Sequence, residues 1–354
     1  MNASSALNAD RPAVIYTSGG AGDHILALPA LRALTNLFPE QLTLICVEGS
    51  ERIFFTEVDV RRILEVETFR DGGRIVIKAL PNQNVTTGGD RVDNGNIKFY
   101  RGPDWTFDAD VVARRLGECD LLISLTPWHS PAADKLLEII SPPHSIGFAK
   151  TFQTAIKPDF TQHLADVFFA VPRSLDSSLI AEDFIGPPFL HIRHRERARQ
   201  FRQVIPSEFR ILIVHADTLP HKMWPADRFA TILDNLLENH RCLVVLVVGS
   251  QNLQFDKGRH GERVIPCQPL DLATSLGLVA EADFFLGIDS CMLHCADIQM
   301  IPGVGLFGPT DPATFGFRFA SHRHVYGQGT MNSISIEEVL DALEPLLSDA
   351  LRSS

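Results

Sequence analysis

The sequence has no CxxC pair, no run approaching the about 18 consecutive apolar residues of a membrane-spanning helix, and no excess of positive charge. Each absence removes a class of function. The six cysteines, at 46, 119, 242, 267, 291 and 295, are too scattered for a disulfide framework and fit reduced thiols. Only Cys291 and Cys295 are close, on one helical face; two thiols without a second pair of ligands fit a buried pair better than a soft-metal site, so no metal is expected. A net charge of −11 offers nothing global to nucleic acid or anionic lipid, so any bound anion must be held by local groups. The opening MNASSALNADR is short and polar, without an apolar signal core. The expectation is a cytoplasmic protein that is not an integral membrane protein and has no nucleic-acid partner.

What is present is length and apolar content: 354 residues, 45% hydrophobic, enough to bury two cores. Residues 13–48 read as strand (AVIYT), Gly-rich turn, helix to Phe38 with Ile25, Leu28, Leu31 and Leu34 at helical spacing, and strand (LTLICVE). Pro29 falls inside that helix, near its first turn or at a kink. Residues 71–108 break the pattern with Gly72-Gly73, Gly88-Gly89 and Asn94-Gly95, and hairpins or a mobile loop are expected there. CDLLISLTP then predicts a buried strand and Pro131 to Ile140 a helix.

From RILIVHAD onward the alternation resumes: helix from Pro225, CLVVLVVGS, RVIPC, helix from Asp271, DFFLGIDS, helix near Ser290, and GVGLFGPTDP. Strands alternating with helices predict a parallel sheet in each half. The expected division is 1–180 for the first domain, 181–206 for a Pro-rich linker, 207–325 for the second domain, and 326–354 for a helical tail packing back on the first. The linker carries Arg193, Arg195, Arg197, Arg199 and Arg202, spread around a helix rather than on one face, which fits a solvated helix better than an anion site.

Polar turns after apolar strands are where α/β proteins hold phosphates, because helix starts leave unpaired N–H groups and a positive dipole end. Gly20-Ala21-Gly22 with Glu48 beyond invites a dinucleotide reading, but the third glycine position is Ile25, and Asp23 puts negative charge where a pyrophosphate would sit. An NAD-dependent oxidoreductase is therefore disfavoured. Asp23 has a structural alternative as a helix N-cap. Likewise Lys222 alone reads as a solvated surface lysine, and His294 as a core histidine.

Together, however, GDHILALPALRAL at 22–34, HADTLPHKMWP at 215–225, the Asp289 to His294 segment and Gly308 to Pro312 resemble glycosyltransferase family 9, the bacterial heptosyltransferases, in the same order along the chain. The resemblance implies a GT-B fold, two Rossmann-like α/β domains facing one inter-domain cleft. It implies an inverting transferase with no cofactor or metal. Asp23 then resembles the general base, with Gly22 and His24 on the acceptor side. Lys222 and Thr218 match contacts to the donor diphosphate, and Asp289 the residue holding the transferred sugar. Ser290, His294, Gly308, Pro309, Thr310 and Asp311 fall in the donor-binding turns.

The donor implied is a nucleotide-diphosphate sugar, an ADP-linked heptose first among them. The acceptor is left open among a glycan, a lipid-linked saccharide, a protein and a small metabolite. Two departures stand out: Cys291 replaces a usual glycine after the Asp-Ser pair, and Asp217 a small hydroxyl residue. They keep open a module of the same fold that binds a nucleotide sugar or a partner without turnover.

Overall fold

The computed structural model describes residues 6–70, 73–77, 106–249, 253, 257–267 and 270–352. These fall into two compact units, one ending at Ile185 and the other beginning at Gly186.

In the first unit β1 (Pro12–Tyr16), β2 (Thr43–Val47) and β3 (Arg62–Val66) precede a small antiparallel sheet of β4 (Thr68–Arg70), β5 (Gly73–Ile75) and β6 (Thr106–Phe107). Then come β7 (Leu121–Ser124), β8 (His144–Gly147) and β9 (Thr154–Ala155). The main sheet runs β3-β2-β1-β7-β8-β9 and is parallel throughout. All residues of β1 and β2 are buried, as expected where helices cover both faces of a parallel sheet.

Helices α1 (Ala21–Leu37), α2 (Ala109–Leu116), α3 (Pro131–Ile140) and α4 (Leu164–Leu175) belong to this unit. Pro29 lies inside α1, which continues through it. The core gathers Ala13, Ile15, Ile45 and Leu122 from the sheet with Val112, Leu116 and Leu136 from α2 and α3. Burying each branched side chain is worth about 2 kcal/mol. Of the segment expected to form hairpins, β4 and β5 pair antiparallel with Thr68 opposite Ile75; Gly88-Gly89 and Asn94-Gly95 lie outside the described residues.

The second unit repeats the plan. Its strands are β10 (Arg210–His215), β11 (Leu243–Val248), β12 (Val264–Cys267), β13 (Phe284–Ile288), β14 (Gly303–Phe307) and β15 (His322–Tyr326). They form a parallel sheet in the order β12-β11-β10-β13-β14-β15. In both sheets the order reverses beside the first strand, at β1/β7 and at β10/β13. In doubly wound folds, ligands bind at the carboxyl edge of such a switch point.

The helices here are α5 (Ile192–Gln203), α6 (Ala226–Asn239), α7 (Leu272–Val279), α8 (Cys291–Ile298) and α9 (Ile336–Arg352). Helix α5 occupies twelve residues within the Pro-rich segment and packs on α7, burying His194 and Ala198. Arg197 and Arg199 on it stay half exposed and reach Asp271 and Glu281 only at 3.8 Å, as a solvated basic helix does. The tail helix α9 lies on α6, β14 and β15, where Val339, Leu343 and Leu347 join the core of this unit. Trp224 is buried beneath it, its indole N–H donating to the Ile334 carbonyl at 3.1 Å.

Candidate active site

The carboxyl edge of each sheet carries one aspartate in a built setting. In the first unit the loops after β1 and β7 meet where the Thr17 N–H reaches Thr126 Oγ1 at 3.4 Å. Helix α1 then starts with Gly20, not Asp23, as its N-cap. Asp23 sits three residues into the helix and folds back toward its start, where the Ser18 hydroxyl donates to Oδ2 at 2.5 Å. A Cβ at position 20 would stand 2.8 Å from that same oxygen, so a side chain there would push the carboxylate aside. Gly22 is part of the first turn.

His24, expected on the acceptor side, has no exposed surface. Its Nδ1 lies 2.8 Å from the Gly20 carbonyl and its Nε2 3.0 Å from Ser50 Oγ, and the ring stacks on Phe54 at 4.7 Å. A carbonyl only accepts, so Nδ1 carries the proton and Nε2 accepts from Ser50. Burial lowers the His24 pKa to about 4, against the opposing hydrogen bond to Gly20, and the ring is neutral at pH 7. His24 therefore braces the turn from inside.

In the second unit Asp289 follows β13 and is 4% exposed. Its Oδ2 takes the Lys222 ammonium at 2.6 Å and the Thr310 hydroxyl at 2.7 Å, while His294 Nε2 stands 3.7 Å from Oδ1. Thr218 Oγ1 reaches the Asp289 carbonyl at 3.4 Å. Burial opposes the charged carboxylate, yet the Lys222 and His294 charges and the Lys222 and Thr310 hydrogen bonds outweigh it, holding the Asp289 pKa below its ordinary value. Lys222, Thr218, Asp289, Thr310 and His294 thus form one cluster, drawn from the ends of β10, β13 and β14 and from α8.

The remaining donor-turn residues divide. Ser290 is the N-cap of α8 but makes no capping bond; its Oγ lies 3.1 Å from His215 Nδ1. Gly308 lets the turn close on Met331, whose N would be 2.6 Å from any Cβ, and Pro309 is half-buried beside it. Asp311 turns to its own short helix, Pro312–Phe315, accepting from the Ala313 N–H at 2.9 Å. Burial pushes the Cys291 thiol up to about 12, so it stays protonated at neutral pH and is a poor nucleophile. All six cysteines are free, and among the described residues no group of three or more His, Cys, Asp or Glu side chains could hold a metal ion.

Two contributors were not singled out from sequence: Ser18, five residues ahead of Asp23, and His215, the last residue of β10. Burial lowers the His215 pKa to about 4, so this ring too is neutral. In the sequence Ser18 is one polar residue of the Gly-rich turn and His215 the first residue of the HADTLPHKMWP motif.

Residues 113–340, more than half of the chain, match the model of glycosyltransferase family 9 (heptosyltransferase). No protein of curated function matches the sequence. Among solved structures, a family 9 glycosyl transferase of Veillonella parvula is similar with a TM-score of 0.71 and 18% identity, covering 97% of this chain and 99% of that one. Escherichia coli heptosyltransferase WaaC with ADP is similar with a TM-score of 0.61 and 15% identity, over 95% and 99% of the two chains. Escherichia coli ADP-heptose lps heptosyltransferase II is similar with a TM-score of 0.62 and 15% identity, over 96% and 99%. Two Rossmann-like units with this likeness make a GT-B fold, and the chain belongs to glycosyltransferase family 9 (heptosyltransferase).

Proposed function

We propose that this glycosyltransferase moves a heptose from an ADP-linked donor to an acceptor hydroxyl, with inversion. The observation that carries the reading is the Lys222-Asp289-Thr310 cluster at the β10/β13 switch point of a family 9 chain. The similar Escherichia coli enzyme solved with ADP supports the choice of nucleotide.

In this mechanism Asp23 is the general base, taking the proton of the acceptor hydroxyl as its oxygen bonds to the anomeric carbon. The bond from that carbon to the diphosphate breaks on the opposite face, which inverts the centre. Lys222 turns its ammonium to the departing diphosphate, and the N–H groups at the start of α8, which Ser290 leaves uncapped, add to it. Aimed at developing charge, one such donor is worth about 3 kcal/mol of barrier. Asp289 and Thr310 hold sugar hydroxyls, and Thr218 and His294 keep Asp289 in place.

Melting temperatures with ADP, UDP, GDP and NAD test the reading, since a ligand of the folded state must stabilise it. ADP should give the largest rise. A larger rise with UDP or GDP would change the donor, and a response to NAD alone would overturn the transferase mechanism.

A further inference from the structure

The Ser18 hydroxyl stands between two partners of opposite kind. Its oxygen accepts from the Gly20 N–H at 3.3 Å and lies 2.5 Å from Asp23 Oδ2. A backbone N–H only donates and an ionised carboxylate only accepts, so the hydroxyl proton is directed at Asp23. Gly20 is part of the same device, because a side chain there would displace the carboxylate from the hydroxyl. Beneath the turn Tyr16 meets His24 edge to face at 5.1 Å and Phe168 at 5.7 Å. His24 in turn holds the Gly20 carbonyl. The turn is thus braced by a neutral hydroxyl and a neutral imidazole against an aromatic floor.

We propose that Ser18 is a positioning residue for transfer: its hydroxyl holds the Asp23 carboxylate in one orientation over the start of α1, ready to receive the acceptor's proton. The role rests on the reading of Asp23 as the base. Ser18 itself makes and breaks no covalent bond, and its hydroxyl donates to Asp23 before and after the proton arrives. Orientation matters at this point because a misplacement of about 1 Å costs about a hundredfold in rate.

The titratable groups at this turn are Tyr16 on β1, whose phenol burial and then the Asp23 charge push well above its ordinary value, and His24 on α1. The Ser18 hydroxyl also acts on the Tyr16 phenol, opposing that rise, so the state of Tyr16 is followed beside that of Asp23 in each variant. The test is a carbon-13 NMR titration of the Asp23 carboxyl in the full chain, with release of ADP from ADP-heptose in water as a second readout. Ser18→Ala should raise the Asp23 midpoint, because the charged form loses a donor. It should slow ADP release about tenfold while KM for ADP-heptose changes less than about twofold. Ser18→Thr, which keeps the hydroxyl, should restore both.

A Ser18→Ala midpoint equal to that of the unaltered protein would overturn the assignment, as would a Ser18→Thr protein that behaves like Ser18→Ala. Release of ADP by Asp23→Asn at the unaltered rate would instead remove the base reading, and the positioning role with it, even if the Ser18→Ala midpoint had moved.

Discussion

Asp23 follows β1, the first strand of its sheet, and Asp289 follows β13, the fourth strand of its own; both lie at the carboxyl edge beside a switch point, yet their surroundings differ in kind. Asp23 takes a hydrogen bond from a neutral hydroxyl at a turn braced by a neutral histidine. Asp289 is buried and shares an ammonium, a threonine hydroxyl and a nearby imidazole. One fold repeated twice has therefore built two different carboxylates. In the proposed mechanism the base, Asp23, must stay able to accept a proton, which a neutral hydroxyl permits. The proposed acceptor of sugar hydroxyls, Asp289, must stay charged, which the Lys222 ammonium favours.

This contrast is open to attack by substitution, and the largest effect is expected at the ion pair. Lys222→Met leaves Asp289 buried without its cation and should cost about 4 kcal/mol in urea denaturation. Adding Asp289→Asn should recover most of that loss. Equal stability of the single and double variants would show that the pair is not coupled. By comparison Ser18→Ala at the other edge should cost no more than about 1 kcal/mol.

Next in size is the response to acid, which the two units should share. His24 and His215 each have a folded pKa lowered to about 4, against about 6.5 when unfolded. Between these values the unfolded chain binds more protons, so stability is full above about pH 6.5 and falls as the pH drops toward 4. Each histidine should account for about 3 kcal/mol of the loss between pH 8 and pH 4. His24→Gln and His215→Asn should each flatten the profile by that amount. A profile unchanged in either variant would show that its imidazole is not held neutral.

The smallest effect is expected for Thr310→Val, which removes one hydrogen bond to Asp289. It should cost about 1 kcal/mol while leaving the Lys222 contact intact. A loss as large as that of Lys222→Met would mean that Thr310, not Lys222, sets the state of Asp289.

Much of this architecture is legible in the residues. Runs such as LVVLVV and FFLGI are buried along their whole length, so continuous apolar runs marked the central parallel strands. Helix α3 covers the expected Pro131 to Ile140, because Ser130 caps it and Pro131 begins it. Strand β15, HRHVY, passed unnoticed: an edge strand with one fully buried residue has no apolar signal, and His324 there is occupied in accepting the Phe317 N–H at 2.9 Å. Helix α5 is legible as the solvated basic helix of the linker, and none of the surrounding prolines lies within its Ile192–Gln203 span.

The site divides in the same way. Lys222, Asp289 and Thr310, which the family resemblance assigns to the donor side, meet at hydrogen-bond distance. Ser18 and His215 act through distance alone, one over five residues of a turn and the other across seventy-five residues of chain to Ser290, and no local pattern encodes either contact.

The claim that the two aspartates have separate duties is tested most directly by the ADP-induced rise in melting temperature of the unaltered protein, Asp23→Asn and Lys222→Met, each against its own unliganded state. The account predicts that Asp23→Asn keeps the full rise and Lys222→Met loses most of it. A rise lost in Asp23→Asn and kept in Lys222→Met would contradict it.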